Sequence, residues 1–214
     1  MSNIKLSVVI ICRNERTHLP AAIEALSASK QLIGELIFID DDSDDGSPDA
    51  VLTEAWRLPP LTIIRNERSY GIVAGMQRGL ELARGSYVFL GGADDVTSPE
   101  LFEKSLRLLA QHPNAALCSS LTGLINQEGS LIDVLAVPLP LLEPGYLTPK
   151  QVESALMKLD SWFAGNTCIF RLNALREIGG FDNHLQGFSD AFAAWTLSLR
   201  YGACFIPEPL AAKR

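Results

Sequence analysis

The sequence predicts an α/β fold with a mostly parallel central sheet flanked by helices on both faces. Three observations carry this. Short apolar runs alternate with segments of helical period over the first hundred residues, an order that needs crossover connections. The runs are rich in β-branched residues and lack polar alternation, as in strands covered on both faces. Two of them also end directly in acidic turns, and in open α/β sheets ligands collect outside the carboxyl ends of the strands.

The elements follow in order. Leu6–Cys12 (LSVVIIC) reads as a strand. Residues 17–27 read as a helix capped by Thr17, with Pro20 in its first turn and Leu19, Ile23 and Leu26 on one stripe. Glu35–Asp40 (ELIFID) is the second strand. Ser47 and Pro48 cap and open a helix running to about Trp56. Leu61–Arg65 is a third strand, residues 70–83 a helix, and residues 86–90 a fourth strand leading into Gly91, Gly92, Ala93, Asp94 and Asp95. Ser98 and Pro99 start a helix to Gln111, and residues 115–121 form a strand. From 131 to 147 three prolines break the period, which predicts a long connection or a hairpin with a mobile loop. This stretch is a candidate lid over a binding site. Pro149–Leu159 reads as helix, 167–171 as a short strand, 190–201 as a helix with Phe192, Trp195 and Leu199 on one face, and 204–206 as strand. The chain ends at Arg214, compatible with a compact domain and equally with a longer parent protein.

The 214 residues carry Lys+Arg 18 against Asp+Glu 25, a net charge of -7, so no broad positive field exists for a nucleic-acid backbone. Four single cysteines without a CxxC pair argue against a zinc site or disulfide framework and fit a reducing cytosol. The apolar run at Leu6–Cys12 is far shorter than the roughly 18 residues of a membrane span. Within this ordinary composition, six of the ten residues from 40 to 49 are aspartate. Charges packed so closely repel, so solvent, backbone donors, a cation or a ligand must offset them.

The motifs resemble those of the family 2 glycosyltransferases of the GT-A, Rossmann-like fold. The strand and turn from Ser7 through Cys12, Arg13, Asn14 and Glu15 are similar to that family's opening strand and Thr-Tyr-Asn-Glu-like turn. Ile39, Asp40, Asp41, Asp42, Ser43, Asp44, Asp45 and Gly46 are similar to its Val-Asp-Asp-Gly-Ser-Thr-Asp-Gly segment. Residues 80–88 with the acidic turn after them, Ile178 to Asp182, and Asp190 ahead of Trp195 and Arg200 match its later blocks in order.

The resemblance implies one catalytic domain over 1–214, with 1–97 as the nucleotide-binding half and 98–214 as the acceptor-binding half. It implies an inverting transferase of polysaccharide biosynthesis that moves a sugar from a nucleotide-diphosphate donor to a hydroxyl of a saccharide or lipid-linked acceptor. Its setting would be cytoplasmic, with peripheral contact at the inner membrane face left open. Ile11, Arg13, Glu15, Asp41, Ser69 and Asp94 are then the nucleotide-binding residues, Asp41 taking the base. Asp94 and Asp95 hold a divalent cation, Mn²⁺ or Mg²⁺, and Asp190 is the general base. The chemistry suits these residue types: carboxylates accept from a base or bind a hard cation, and a base must deprotonate the attacking hydroxyl.

Asp44 and Asp45 read as turn and helix-start residues. His18, His112 and His184 lack ligand spacing, and Trp56 and Trp195 read as core or rim. The sequence also departs from the family pattern. Gly92 stands where the first acid of Asp-x-Asp is usual, Cys12 and Arg13 replace Thr-Tyr, and Met76 falls where a cation is usual, leaving Arg68 or Arg78 to substitute. Gly92 and Met76 motivate the alternative, a non-catalytic nucleotide-sugar or saccharide binding module. A dinucleotide-dependent oxidoreductase is excluded because the turn after the first strand has no glycine.

Overall fold

The computed structural model describes residues 5–159 and 161–214. The chain runs β1 (Leu6–Cys12), α1 (Leu19–Ala28), β2 (Glu35–Asp40), α2 (Ser47–Thr53), β3 (Leu61–Arg65), α3 (Ile72–Leu82) and β4 (Tyr87–Gly92). It continues through β5 (Val96–Thr97), α4 (Pro99–Gln111), β6 (Leu117–Ile125), β7 (Leu131–Val134), β8 (Gly145–Leu147) and α5 (Pro149–Leu159). A single tight turn at Gly165–Thr167 leads to β9 (Ile169–Arg171), α6 (Leu172–Glu177), a second tight segment at Asn183–Phe188, α7 (Ser189–Tyr201) and β10 (Ala203–Lys213).

The side chains of β1 divide by parity, because successive strand residues point to opposite faces. Leu6, Val8, Ile10 and Cys12 pack with Leu19, Ile23 and Leu26 of α1, Val51 of α2 and Phe102 of α4. Val9 and Ile11 pack on the other face with Val73 and Leu80 of α3, Leu175 of α6 and Leu197 of α7. Covering both faces removes every side chain of β1 from water, at about 1.5–3 kcal/mol for each large one. This is why the run contains no polar alternation.

The sheet order is β3-β2-β1-β4-β9-β6-β10-β5. Its long ladders, β3 on β2, β2 on β1, β1 on β4 and β6 on β10, are parallel, and the short ones at β5, β7, β8 and β9 are antiparallel. At one end of the first ladders Glu35, 4% exposed, ties three elements together. It accepts from Ser7 Oγ at 2.6 Å, from Arg84 N at 2.7 Å, and from Arg84 Nε and Nη2 at 2.9 and 2.7 Å. Burial acts to raise its carboxyl, but these donors hold it below the usual carboxylate range.

Several elements differ from the sequence reading, each for a local reason. Thr17 does not cap α1. His18 is the N-cap, without a side-chain bond to the helix backbone, because a turn whose His18 and Leu19 N–H groups donate to Glu15 O feeds the helix. Ser47 is the first helical residue of α2, not its cap. Gly46 holds the cap position at φ 81°, a left-handed conformation suited to glycine, and Asp45 accepts from Ser47 N and Oγ at 2.9 and 2.6 Å. Helix α2 stops at Thr53, which leaves Trp56 77% exposed beyond it. Helix α7 buries Ala193, Ala194 and Leu197, whereas Phe192 and Leu199 are exposed, because small residues admit closer neighbours. Strand β10 runs on to Lys213 with register shifts around Pro209. Residues 131–147 do not pair with one another: β7 folds back on β6, β8 pairs with β10, and the stretch between them is a long connection. All four cysteines are buried and unpaired. Among the described residues no helix is long and apolar enough to cross a membrane.

Candidate active site

Strands β1, β2 and β3 step outward in one direction, and α3 then returns the chain past β1 to β4. The carboxyl ends of β1 and β4 are therefore the topological switch point of the sheet, where ligands bind in open α/β folds. Two glycines let α3 lie flush on β1. A Cβ at Gly75 would sit 3.1 Å from the Ile11 side chain, and one at Gly79 would overlap Val9. This close approach brings Ile72 and Met76 to the end of β1.

A cleft of about 430 Å³ opens at the switch point. Ile11, Ile72 and Met76 form one wall, Asp95 and Asn166 stand deep on the β4 side, and Asp190, Phe188 and Lys213 complete it. Leu135, just after β7, also lines it, so the 131–147 stretch expected as a lid contributes to the wall. Of the predicted site residues, Ile11, Asp95 and Asp190 share this cleft. Asp94 lies on the same turn as Asp95, and Arg13, Glu15, Asp41 and Ser69 stand on the neighbouring loops outside the cleft wall.

The two acids after β4 are arranged by Gly92. Its N–H donates to Asp95 Oδ2 at 3.1 Å, and a Cβ at Gly92 would overlap Asp94 Oδ1. The space that an acidic side chain at 92 would enter is thus occupied by the Asp94 carboxylate. Asp95 also accepts from Asn166 Nδ2 at 3.3 Å. Its carboxyl is pushed up to about 6, chiefly by burial and further by Asp94, against the pull of the Gly92 N–H, the Asn166 amide and Lys213.

Among the described residues, no three His, Cys, Asp or Glu side chains gather into a cage for a metal ion. The pair Asp94 and Asp95 nevertheless fits a hard cation of the Mg²⁺ type, which takes one or two carboxylates and fills its remaining positions with water and substrate phosphate. Two adjacent carboxylates, one lifted by burial and by its neighbour, are a donor set whose repulsion a cation relieves.

Within the aspartate run Asp41, Asp45 and Asp49 have donors of their own, whereas the buried Asp40 Oδ1 has no hydrogen-bond partner among the described residues. Asp41, 2% exposed, accepts four hydrogen bonds: Asn66 Nδ2 at 2.8 Å and Tyr70 N at 2.9 Å on Oδ1, Ser69 Oγ at 2.7 Å and Gly71 N at 2.9 Å on Oδ2. Burial acts to raise its carboxyl, but the four donors hold it below the usual range. These bonds fill the four lone-pair sites of the carboxylate and pin the loop before α3 to the end of β2. Asp45 accepts from Arg16 N at 2.9 Å, and Asp49 pairs with Arg65 at 2.7 Å. Asn14 at φ 57° and Asp42 at φ 68° turn the two loops, which Asn14 N to Ser43 Oγ and Asp44 N to Asn14 Oδ1 join at 2.9 Å each.

Glu15 is engaged with His18 at 2.6 Å, and Arg13 is exposed. Arg68 lies 5.1 Å from the Tyr70 ring, and Arg78 donates to Asn66 Oδ1, so both predicted substitutes for the cation at Met76 point elsewhere. Sequence reasoning missed Lys213, which lines the cleft at the far end of β10, and the roles of Gly165 and Asn166. Lys213 carries no motif. The turn at 165–167 is legible in sequence only as small and polar residues after an aromatic pair.

The layout, an α/β sheet whose switch-point cleft gathers paired acids and a further carboxylate, is that of the GT-A fold. The *Staphylococcus aureus* protein TarS, solved as residues 1–349 with UDP, superposes with a TM-score of 0.78 at 17% identity, covering 98% of this chain and 60% of that one. A mannosyltransferase from *Pyrobaculum calidifontis*, solved with GDP-Man and Mn²⁺, gives 0.72 at 18% identity over 100% of this chain and 57% of its own. The chain belongs to glycosyl transferase family 2, whose family model matches residues 7–136. An uncharacterized glycosyltransferase of *Haemophilus influenzae* is 30% identical over 109 residues, 51% of this chain and 36% of that protein. The putative glycosyltransferase EpsE of *Bacillus subtilis* is 24% identical over 181 residues, 84% of this chain and 61% of that protein. The chain thus spans from about a third to three-fifths of the length of these relatives.

Proposed function

We propose that this chain is the donor-binding and catalytic core of an inverting glycosyltransferase, which moves a sugar from a nucleotide diphosphate to a hydroxyl of a saccharide or lipid-linked acceptor. The observation that carries the reading is the meeting of Asp95 and Asp190 in one cleft at the switch point of the sheet. Family membership and neighbours solved with UDP and with GDP-Man support a nucleotide-sugar donor.

The nucleoside lies along the loops of Arg13, Glu15, Asp41 and Ser69, with Ile11 at the floor. Arg13 is free to stack its guanidinium on a base. Asp41 acts through the Ser69 to Gly71 loop that it holds, since direct contact with a base would require one of its four donors to give way. Asp94 and Asp95 are the residues that would hold the divalent cation, which supplies charge neutralisation of the departing diphosphate. Lys213 adds a positive charge on the same side of the cleft. Asp190 takes the proton from the acceptor hydroxyl as it attacks the anomeric carbon from the face opposite the leaving diphosphate, and attack from that face inverts the centre. Phe188, 72% exposed at the mouth, and Leu135 offer apolar surface to the acceptor.

Thermal shift with UDP, GDP and dTDP, each with Mn²⁺ or Mg²⁺, tests donor binding; no stabilisation by any pair would refute it. Asp190→Asn is expected to lower turnover about 10²–10⁴-fold, the usual contribution of a general base, and keep donor binding, and unchanged turnover would remove Asp190 as the base. The second reading, a binding module without catalysis, rests on the glycine at position 92. It predicts nucleotide-sugar binding with no release of free sugar on long incubation with metal.

A further inference from the structure

We propose that Gly165 is a positioning residue for the acceptor-side base: its missing Cβ is the seat of the Asp190 carboxylate. The inference rests on the reading of Asp190 given above. A Cβ built at Gly165 would overlap Asp190 Oδ2 outright and sit 3.1 Å from its Cγ and 3.5 Å from its Cβ. The other carboxylate oxygen, Oδ1, accepts from Ala191 N at 2.8 Å. One side of the carboxylate is thus held by its own helix start, and the other lies in the space the glycine leaves open.

Backbone conformation does not account for this glycine. Gly165 is absent from the residues of positive φ, so an L side chain fits its backbone, and glycine weakens a helical turn relative to alanine. The space it leaves open is the feature that alanine would remove.

The turn itself cannot move aside. Thr167, fully buried, accepts from Ser120 N at 3.2 Å, and its hydroxyl lies within hydrogen-bond reach of the carbonyls of Ala164 and Ser120, at 2.8 and 3.1 Å. Asn166 donates to Thr122 Oγ1 at 3.0 Å and to Asp95 at 3.3 Å. The turn is therefore bound to β6 and to the donor-side acid, while Asp190 reaches it by the free end of a flexible side chain. A methyl group at 165 displaces the carboxylate and leaves the turn in place. A single turn consequently holds the acid on the donor side and leaves the seat of the base on the acceptor side.

The test is a double-mutant cycle on the intact chain, using release of free sugar from a UDP- or GDP-sugar with Mn²⁺ as the readout. Gly165→Ala is expected to lower kcat on the order of 10²-fold, the usual effect of misplacing a catalytic group by about an ångström, with the donor KM within about twofold. In the Asp190→Asn background the same alanine should add no further loss, because it acts only through the carboxylate. A loss that multiplies in the double variant, or an unchanged kcat in Gly165→Ala, overturns the proposal. If Asp190→Asn itself turns over normally, the catalytic reading fails instead, and the two failures are distinct. A stability cycle stands apart from activity. Alanine at 165 should lower Tm less in an Asp190→Ala background than in the native one, and an equal drop in both would show that the methyl clashes with something other than the carboxylate.

Discussion

Replacing Asp41 with asparagine removes one charge and one acceptor from a carboxylate whose four lone-pair sites are filled. If the amide oxygen takes the place of Oδ1, it keeps Asn66 and Tyr70 N, and its NH₂ then faces Ser69 Oγ, which can rotate to accept, and Gly71 N–H, which cannot. In the other orientation the NH₂ opposes Tyr70 N–H. Either way one backbone donor loses its partner and the remaining bonds lose their charge assistance. A hydrogen bond to a charged group contributes about 1.5–3 kcal/mol, and the loop edge is partly wet, so the expected destabilisation is about 2–3 kcal/mol. For a chain of this size that corresponds to a Tm drop of roughly 4–12 °C in calorimetry. The pH dependence follows from the direction of the shift. A carboxyl held below its ordinary value contributes stability above that value and loses it as pH falls through the folded one. The gap between native chain and variant should stay level from about pH 8 to 5 and close below about pH 4. A Tm change under about 2 °C at neutral pH, or a gap that widens in acid, would refute the clamp.

Two further outcomes follow from the cleft. Lys213→Ala should weaken nucleoside-diphosphate binding, measured by titration calorimetry, by about tenfold at low salt and by less at high salt, while leaving nucleoside binding unchanged; equal effects on both ligands would remove Lys213 from the diphosphate. Gly92→Asp sets a third carboxylate against Asp94, which must swing aside to admit it, so the variant should fail to strengthen Mn²⁺-dependent UDP binding in titration calorimetry. Tighter metal binding in that variant would show that Gly92 is merely a lost ligand.

The first half of the fold was legible because its strands are buried on both faces: parity along β1 cannot be read when apolar residues occupy both faces, but the run itself can. Errors arose where a neighbour outside the local window decides the outcome. Thr17 and Ser47 are good caps by residue type, yet Glu15 and Gly46 set the turns that precede α1 and α2. Phe192 and Leu199 are large apolar residues of α7, yet the face that packs carries Ala193, Ala194 and Leu197. The acids at 41, 94, 95 and 190 could be picked out by motif, because charge at a strand end or helix start is a local signal. What holds them is not local. Asp41 is answered by a loop about thirty residues on, Asp95 by Asn166 and Lys213, and Asp190 by the absence of a side chain at 165. A glycine that exists to leave room has no signature of its own in a single sequence. It becomes visible only when the fold places a carboxylate against it, which is why the geometry of this cleft constrains its chemistry more tightly than its motifs do.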